Sequence, residues 1–281
     1  MTRKHVTVAL SGDGGDELFA GYNRYFWAEW LARAASLVPR SLRGVSVAAL
    51  HALAPDTWNR LFGLVPAAWR PALAGDKLHK IATLLDNPSP DAIYRRLVSQ
   101  WEHPDEIAAA GSEPHGPLWD ASVARDFPDF VPRMQFLDMV TYLPDDILTK
   151  VDRTTMAVGL EGRVPLIDHR VVAYSWTLPL EFKVRGGAGK WLLRRVLDRY
   201  VPRPLIDRPK MGFGVPIDSW LRGPLRDWAE TLLAPKRLAA DGFVQPEPVR
   251  KAWAEHLAGT RNWQYPLWTV LMLQAWRARW A

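Results

Sequence analysis

The sequence predicts a mostly α-helical chain with few strands, opening on one buried strand. Three observations carry that expectation. Residues 5–10 (HVTVAL) are a short, β-branched, apolar run bounded by Ser-Gly-Asp-Gly-Gly, the pattern of a buried strand that ends in a loop. Beyond the loop, apolar residues recur at helical spacing. The 23 prolines and 19 glycines then cut that periodicity into segments.

Each element follows in order. From Glu17 to Leu37, the aromatic residues Phe19, Tyr22, Phe26 and Trp30 recur at intervals of three or four, as on one side of a helix. The stretch from Arg40 to about Asp91 carries Pro55, Pro66, Pro71, Pro88 and Pro90 and reads as several short helices cut by turns. A break is expected from Gly111 to Pro117. The apolar period from Pro132 to Ala157 is interrupted at Leu143-Pro144, where proline ends or kinks a helix. A glycine-rich turn precedes a helical run over Gly189 to Arg199. Further helices are expected near 224–234, 247–258 and 265–279. No internal repeat or low-complexity tract occurs. A lone buried strand cannot satisfy its own backbone groups, so the sheet is expected to be incomplete in this chain.

Composition excludes several function classes. Hydrophobic content of 48% with 23% charged residues is ordinary for a folded domain of this length. The 36 basic against 30 acidic residues give +6, dispersed rather than striped, which argues against nucleic acid as a partner. Zero cysteines remove disulfides, thiolate metal sites and a cysteine nucleophile. The seven histidines show no zinc-ligand spacing. With no eighteen-residue apolar run and only Val6 to Leu10 before the first glycine, neither a membrane span nor a signal peptide is expected. A cytoplasmic protein is the simplest reading. The fifteen tryptophans are scattered, as expected for core packing, and those near the C-terminus (Trp263, Trp268, Trp276, Trp280) are candidates to dock on further protein.

The strongest local signal is Leu10-Ser11-Gly12-Asp13-Gly14-Gly15-Asp16-Glu17-Leu18-Phe19, a strand end, a loop and a helix start. Glycines let a backbone approach a ligand closely, and a helix N-terminus offers free N–H groups to anionic oxygens. A carboxylate from Asp13 or Asp16 beside phosphate suits magnesium, which keeps several waters and takes one or two protein oxygens. The alternative is that Asp16 and Glu17 only cap the helix. The loop fits neither the Walker pattern nor GxGxxG, and it lacks the ligand spacing of a calcium loop.

The string SGDGGDELFAGYNRY resembles the SG-acid-GxDE loop of the asparagine synthetase and β-lactam synthetase superfamily. Two further stretches follow in the family's order, LPDDILTKVDRTTMAVGLEGRVPLIDHR from Leu143 and GGAGKWLLRRVLDRYVPRPLIDRPKMGFGVPIDSWL from Gly186. The resemblance, to the C-terminal synthetase domain of glutamine-hydrolysing asparagine synthetases, implies an α/β fold of the adenine nucleotide α-hydrolase type, with a PP-loop ATPase site. It implies ATP and Mg2+ as cofactors and aspartate and ammonia as substrates: ATP activates aspartate as β-aspartyl-AMP, releasing pyrophosphate, and ammonia displaces AMP. By position in the family's motif, Ser11 and Gly12 contact the nucleotide, Asp13 takes the acidic catalytic position, Asp16 binds magnesium and Lys190 neutralises the leaving pyrophosphate. The family often carries glutamate, one methylene longer, where Asp13 stands.

Lys150, Asp152 and Arg153, with Glu161 and Arg163, lie in a segment the family places near the active site; they read as structural carboxylate–arginine pairs ahead of substrate contacts, and not as catalytic groups. Arg208 to Gly214 reads either as a flap with glycine hinges or as a fixed loop. The family's glutaminase domain, which needs a cysteine nucleophile, and its SGGxDS pyrophosphate loop do not occur in residues 1–281. Three readings compete: a C-terminal portion incomplete alone, a split enzyme completed by an N-terminal half or a glutaminase polypeptide, and a non-catalytic scaffold. A related amide ligase, such as a peptide cyclase or β-lactam synthetase, stays open within the first two.

Overall fold

A computed structural model describes residues 1–37, 39–53, 55–63, 75, 78, 82, 89–206 and 214–281. The expected turns at Pro66, Pro71 and Pro88, and the flap apart from Gly214, lie outside the described residues. The chain divides into two compact units, Met1–Arg33 with His115–Lys210, and Ala34–Pro114 with Met211–Ala281.

The first unit contains strand β1 (Val8–Leu10), helix α1 (Gly15–Leu18), the start of α2 (Asn23–Ser36), α3 (Ala121–Asp126), α4 (Phe130–Val140), α5 (Thr149–Met156), β2 (Glu161–Arg163), α6 (His169–Thr177), α7 (Leu180–Lys183) and α8 (Trp191–Leu197). The expected strand forms, but it is neither alone nor fully buried. It pairs in parallel with β2 in the register Val8↔Glu161, Ala9↔Gly162, Leu10↔Arg163, and Leu10 is 73% exposed. A parallel strand is normally covered on both faces; with one sheet neighbour among the described residues, β1 has only partial cover. The polar triplet Glu161-Gly162-Arg163 gives no β signal and is a strand because the ladder holds it. Glu161 N–H donates to Thr7 O at 2.9 Å, and Ser11 N–H donates to Arg163 O at 2.8 Å. Strand β2 lies against α5: a Cβ on Gly162 would make an ordinary van der Waals contact with Val151 Cγ1, 3.4 Å away.

The helix expected from Glu17 to Leu37 is instead two helices. Gly21 N–H turns back to Asp16 O at 2.8 Å and Ala20 takes φ 53°, so the chain changes direction between α1 and α2. The aromatic stripe is therefore not one face: Tyr25 and Ala28 of α2 are buried, while Trp27 and Trp30 point outward. The expected interruption at Leu143-Pro144 appears as a change of helix type. After α4 the segment Leu143–Leu148 is π-helical, with Pro144 in its first turn and Thr149 Oγ1 donating to Pro144 O at 2.8 Å. Proline, lacking an N–H, is tolerated in a first turn, and the following hydroxyl satisfies its carbonyl.

Among the described residues, the elements of the second unit are helices. Its core gathers Ile217, Leu221, Leu232, Leu238, Val249, Trp253, Leu267 and Leu271 from the helices Ile217–Arg222, Arg226–Leu232, Pro235–Asp241, Pro246–Ala258 and Gln264–Trp280. Three of these were expected; Ile217–Arg222 and Pro235–Asp241 are additional, the latter opening on a proline at a first-turn position that suits it. Burying one large aliphatic side chain contributes roughly 1.5–3 kcal/mol, so this cluster holds the unit together. Trp253, 1% exposed, donates its indole N–H to Glu230 Oε2, which removes the cost of burying a polar atom. The expectation that tryptophans pack the core holds for Trp253; Trp27, Trp30, Trp220, Trp228, Trp276 and Trp280 are exposed. Indoles are too large to be covered easily, and their burial is usually partial.

Candidate active site

The loop between β1 and α1 is shaped by two glycines with different tasks. Gly14 takes φ 79°, and a Cβ on it would sit 2.6 Å from Ile167 Cγ2, so only glycine fits. A Cβ on Gly12 would meet nothing within 4 Å, which leaves that backbone open to an incoming group. Between them, the Ser11 hydroxyl donates to Asp13 Oδ2, and Asp13 N–H donates back to Ser11 Oγ at 3.4 Å.

Asp16 does not cap the helix. The cap position is Gly14, no side chain bonds there, and Asp16 Oδ2 instead pairs with Lys190 Nζ at 2.8 Å, the two side chains being 24% and 28% exposed. Helix α1 is a single four-residue turn. Its dipole is correspondingly small, and the helix N-terminus contributes less here than the loop pattern suggests.

The approach of Lys190 is built by backbone strain. Ala20 (φ 53°) and Lys190 (φ 58°) are the two non-glycine residues with positive φ among the described residues, and they meet at one junction. Lys190 N–H donates to Phe19 O at 2.8 Å. A Cβ on Gly189 would collide with Ala20 O at 1.9 Å, and one on Gly21 would fall 2.1 Å from Asp16 Oδ1 and 2.3 Å from Lys190 Cε. A left-handed L-residue costs about 1–2 kcal/mol, and such strain is characteristic of sites whose geometry matters more than their stability.

Behind the loop lies a polar layer. Glu17 is buried; Tyr22 Oη donates to its Oε1 at 2.7 Å, and Gln135 Nε2 donates to its backbone O at 2.5 Å. Buried Asp138 accepts from Tyr25 Oη at 2.6 Å and pairs with Arg24 Nη2 at 2.7 Å. The Arg24 guanidinium lies 4.0 Å from the Tyr22 ring centroid and 4.7 Å from that of Tyr142. Burial pushes the Glu17 carboxyl up, against the lowering effect of the Tyr22 hydroxyl, and the Tyr22 phenol is raised by burial and by Glu17. Local sequence does not reveal this layer. Its signal was the ELFAGYNRY pattern, but the partners Gln135 and Asp138 lie more than a hundred positions away.

Glu161 and Arg163 bond one another at 2.6 Å on the surface, the structural pairing that was one of their two readings. Lys150 faces Asp146 at 3.6 Å. No group of three or more acidic or histidine side chains that could hold a metal occurs among the described residues. A magnesium ion held by Asp16 would therefore find fewer than three carboxylate or histidine side chains about it, and water and phosphate oxygens would supply the rest, as this ion commonly accepts. The partly exposed Asp16 carboxylate, next to an ammonium that can take a phosphate oxygen, fits that arrangement.

The asparagine synthase family model matches residues 1–278. The chain belongs to that family. A Mycobacterium tuberculosis protein described as "Putative asparagine synthetase (glutamine-hydrolyzing)" is 34% identical over 98% of this chain and 40% of its own length. Asparagine synthetase (glutamine-hydrolyzing) 1 of Bacillus subtilis is 29% identical over 98% of this chain and 41% of its own length. The asparagine synthetase (glutamine-hydrolyzing) of Gallus gallus is 31% identical over 46% of this chain and 26% of its own. The chain therefore spans about 40% of the length of the bacterial relatives it matches. No solved structure matches. No helix among the described residues is long and apolar enough to cross a membrane.

Proposed function

We propose that this chain forms part of the synthetase site of an ATP-dependent amide-forming enzyme that converts aspartate and ammonia to asparagine. In this reading an aspartate side-chain oxygen attacks the α-phosphorus of ATP, the bond to the β-phosphate oxygen breaks, and pyrophosphate leaves. Ammonia then attacks the acyl carbon of β-aspartyl-AMP; AMP departs with the bonding pair and a proton is lost from nitrogen. The observation that carries the proposal is the 2.8 Å pairing of Asp16 with Lys190, two residues drawn from distant motifs of one family and joined by the strained junction at Ala20.

The roles follow from each group's chemistry. Lys190 offers a fixed cation both to the phosphate oxygens of bound ATP and to the further negative charge that grows on departing pyrophosphate, so it holds the nucleotide and holds the transition state more tightly still. Asp16 would hold magnesium, which when bound neutralises phosphate charge. The open backbone of Gly12 and the hydroxyl of Ser11 suit close contact with the nucleotide. Asp13, braced by Ser11, takes the acidic position beside the acyl-adenylate. The SGGxDS loop and the ammonia source come, in this reading, from an N-terminal portion or a glutaminase polypeptide, with a further strand adding beside β1.

The test is aspartate-dependent pyrophosphate release by the chain supplied with the preceding portion of a longer relative. Release that requires magnesium-ATP and falls at least about 100-fold in Lys190→Ala supports the proposal, the range expected for one electrostatic group at a transition state. Release that persists undiminished in both Lys190→Ala and Asp16→Asn contradicts it.

A further inference from the structure

Beside α8 the first unit carries a cleft of about 620 Å³ whose lining includes Arg185, Trp191, Arg194, Arg195, Asp198 and Arg203. None of Ser11, Gly12, Asp13, Asp16 or Lys190 lines it. Four guanidinium groups face one carboxylate there, a charge imbalance gathered in a concavity of the size that takes a small molecule. Like charges so grouped repel one another unless an anion joins them, and a concave wall focuses the resulting positive potential.

The arginines are also held in place. Asp198 accepts from Arg203 Nη2 at 2.8 Å and Nε at 3.1 Å, and from Arg195 Nη1 at 3.3 Å. Arg194 Nε reaches Gly189 O at 3.2 Å, and the Arg185 guanidinium lies 4.9 Å from the Trp191 ring centroid. A guanidinium has five N–H donors, so one such anchor leaves Arg194 and Arg195 with donors for a ligand, in the planar fork that matches phosphate oxygens. Single basic side chains on a surface lose rotamer freedom when they grip an anion; here part of that ordering is already in place.

We propose that this cleft is a second anion site, separate from the Asp16–Lys190 site, that binds the diphosphate group of a small molecule. Inorganic pyrophosphate and a nucleoside diphosphate are the two sources of that chemistry. The face of Trp191 and its neighbour Arg185 offer a stacking surface that only the second could use.

Isothermal titration of magnesium-free pyrophosphate and ADP into the full chain tests this, with sulfate as a reference for charge alone. Saturable pyrophosphate binding is expected, tighter than sulfate by at least tenfold and weakened as salt is raised. It should persist in Lys190→Ala and fall at least tenfold in Arg185→Gln and in Arg195→Gln, whose side chains lie on the surface and leave the circular dichroism unchanged. ADP binding more tightly than pyrophosphate, with the gain lost in Trp191→Ala, would identify the nucleotide as the source; equal affinity would identify the free diphosphate. No saturable binding, binding no tighter than sulfate, or binding lost in Lys190→Ala but retained in both arginine variants overturns the second site.

Discussion

Lys190 is where residue-scale chemistry and backbone conformation meet. Its left-handed φ of 58° is unfavourable for a long side chain, yet that conformation joins Lys190 N–H to Phe19 O and lets Nζ reach Asp16. The two glycines beside it differ: a Cβ on Gly189 would strike backbone at Ala20 O, whereas one on Gly21 would strike the ends of side chains. Gly21→Ala places a methyl 2.1 Å from Asp16 Oδ1 and 2.3 Å from Lys190 Cε, so those side chains must shift; we predict that this variant folds and, supplied with the SGGxDS-bearing portion of a relative, loses at least tenfold in magnesium-ATP affinity by calorimetry. Gly14→Ala meets both a positive φ and Ile167 at 2.6 Å, and is expected to lower stability by about 1–3 kcal/mol in urea unfolding. The identities of Asp16 and Lys190 could be read from the sequence as motif positions. Their contact could not, because the strain at Ala20 and Lys190 depends on two loops meeting and leaves no mark on local composition.

At the scale of elements, the legible parts were those with a local cause. Pro144 marked its interruption, and the helices Arg226–Leu232, Pro246–Ala258 and Gln264–Trp280 of the second unit lie near where the sequence places them. Strand β2 was invisible because Glu161-Gly162-Arg163 has no strand propensity of its own and exists through its pairing with β1. The break between α1 and α2 was hidden for a similar reason: Ala20 is a good helix former, and the turn of Gly21 back to Asp16 overrides it. The buried layer under α1 yields a pH prediction. Glu17 has its pKa raised above 4.5 mainly by burial, so its protonated form is favoured in the folded state. The stabilising contribution is complete below 4.5 and is lost as pH rises through the raised folded value. Glu17→Gln, which keeps an acceptor for Tyr22 but cannot ionise, should therefore be more stable relative to the parent chain at pH 7 than at pH 4, as read from the difference in their urea midpoints.

At the scale of the whole molecule, an ionisable group outside the proposed chemistry also sets stability. Lys183 is buried, lies 4.7 Å from the Trp176 ring centroid, and is pushed down to about 8 by burial. For a lysine with a depressed folded value, stability is fullest above the ordinary 10.5 and falls as pH drops through about 8. Lys183→Met should remove that dependence, so the parent chain should gain stability relative to this variant between pH 8 and pH 10.5.

The most direct test of the central claim is a calorimetric titration of magnesium-ATP into the chain supplied with the SGGxDS-bearing portion of a relative, with the wild-type chain compared against Asp16→Asn and Lys190→Ala. One magnesium-dependent site is expected, weakened at least tenfold in each variant, about 1.4 kcal/mol or more, while the helical circular dichroism stays unchanged. Equal magnesium-ATP affinity in all three proteins would contradict it.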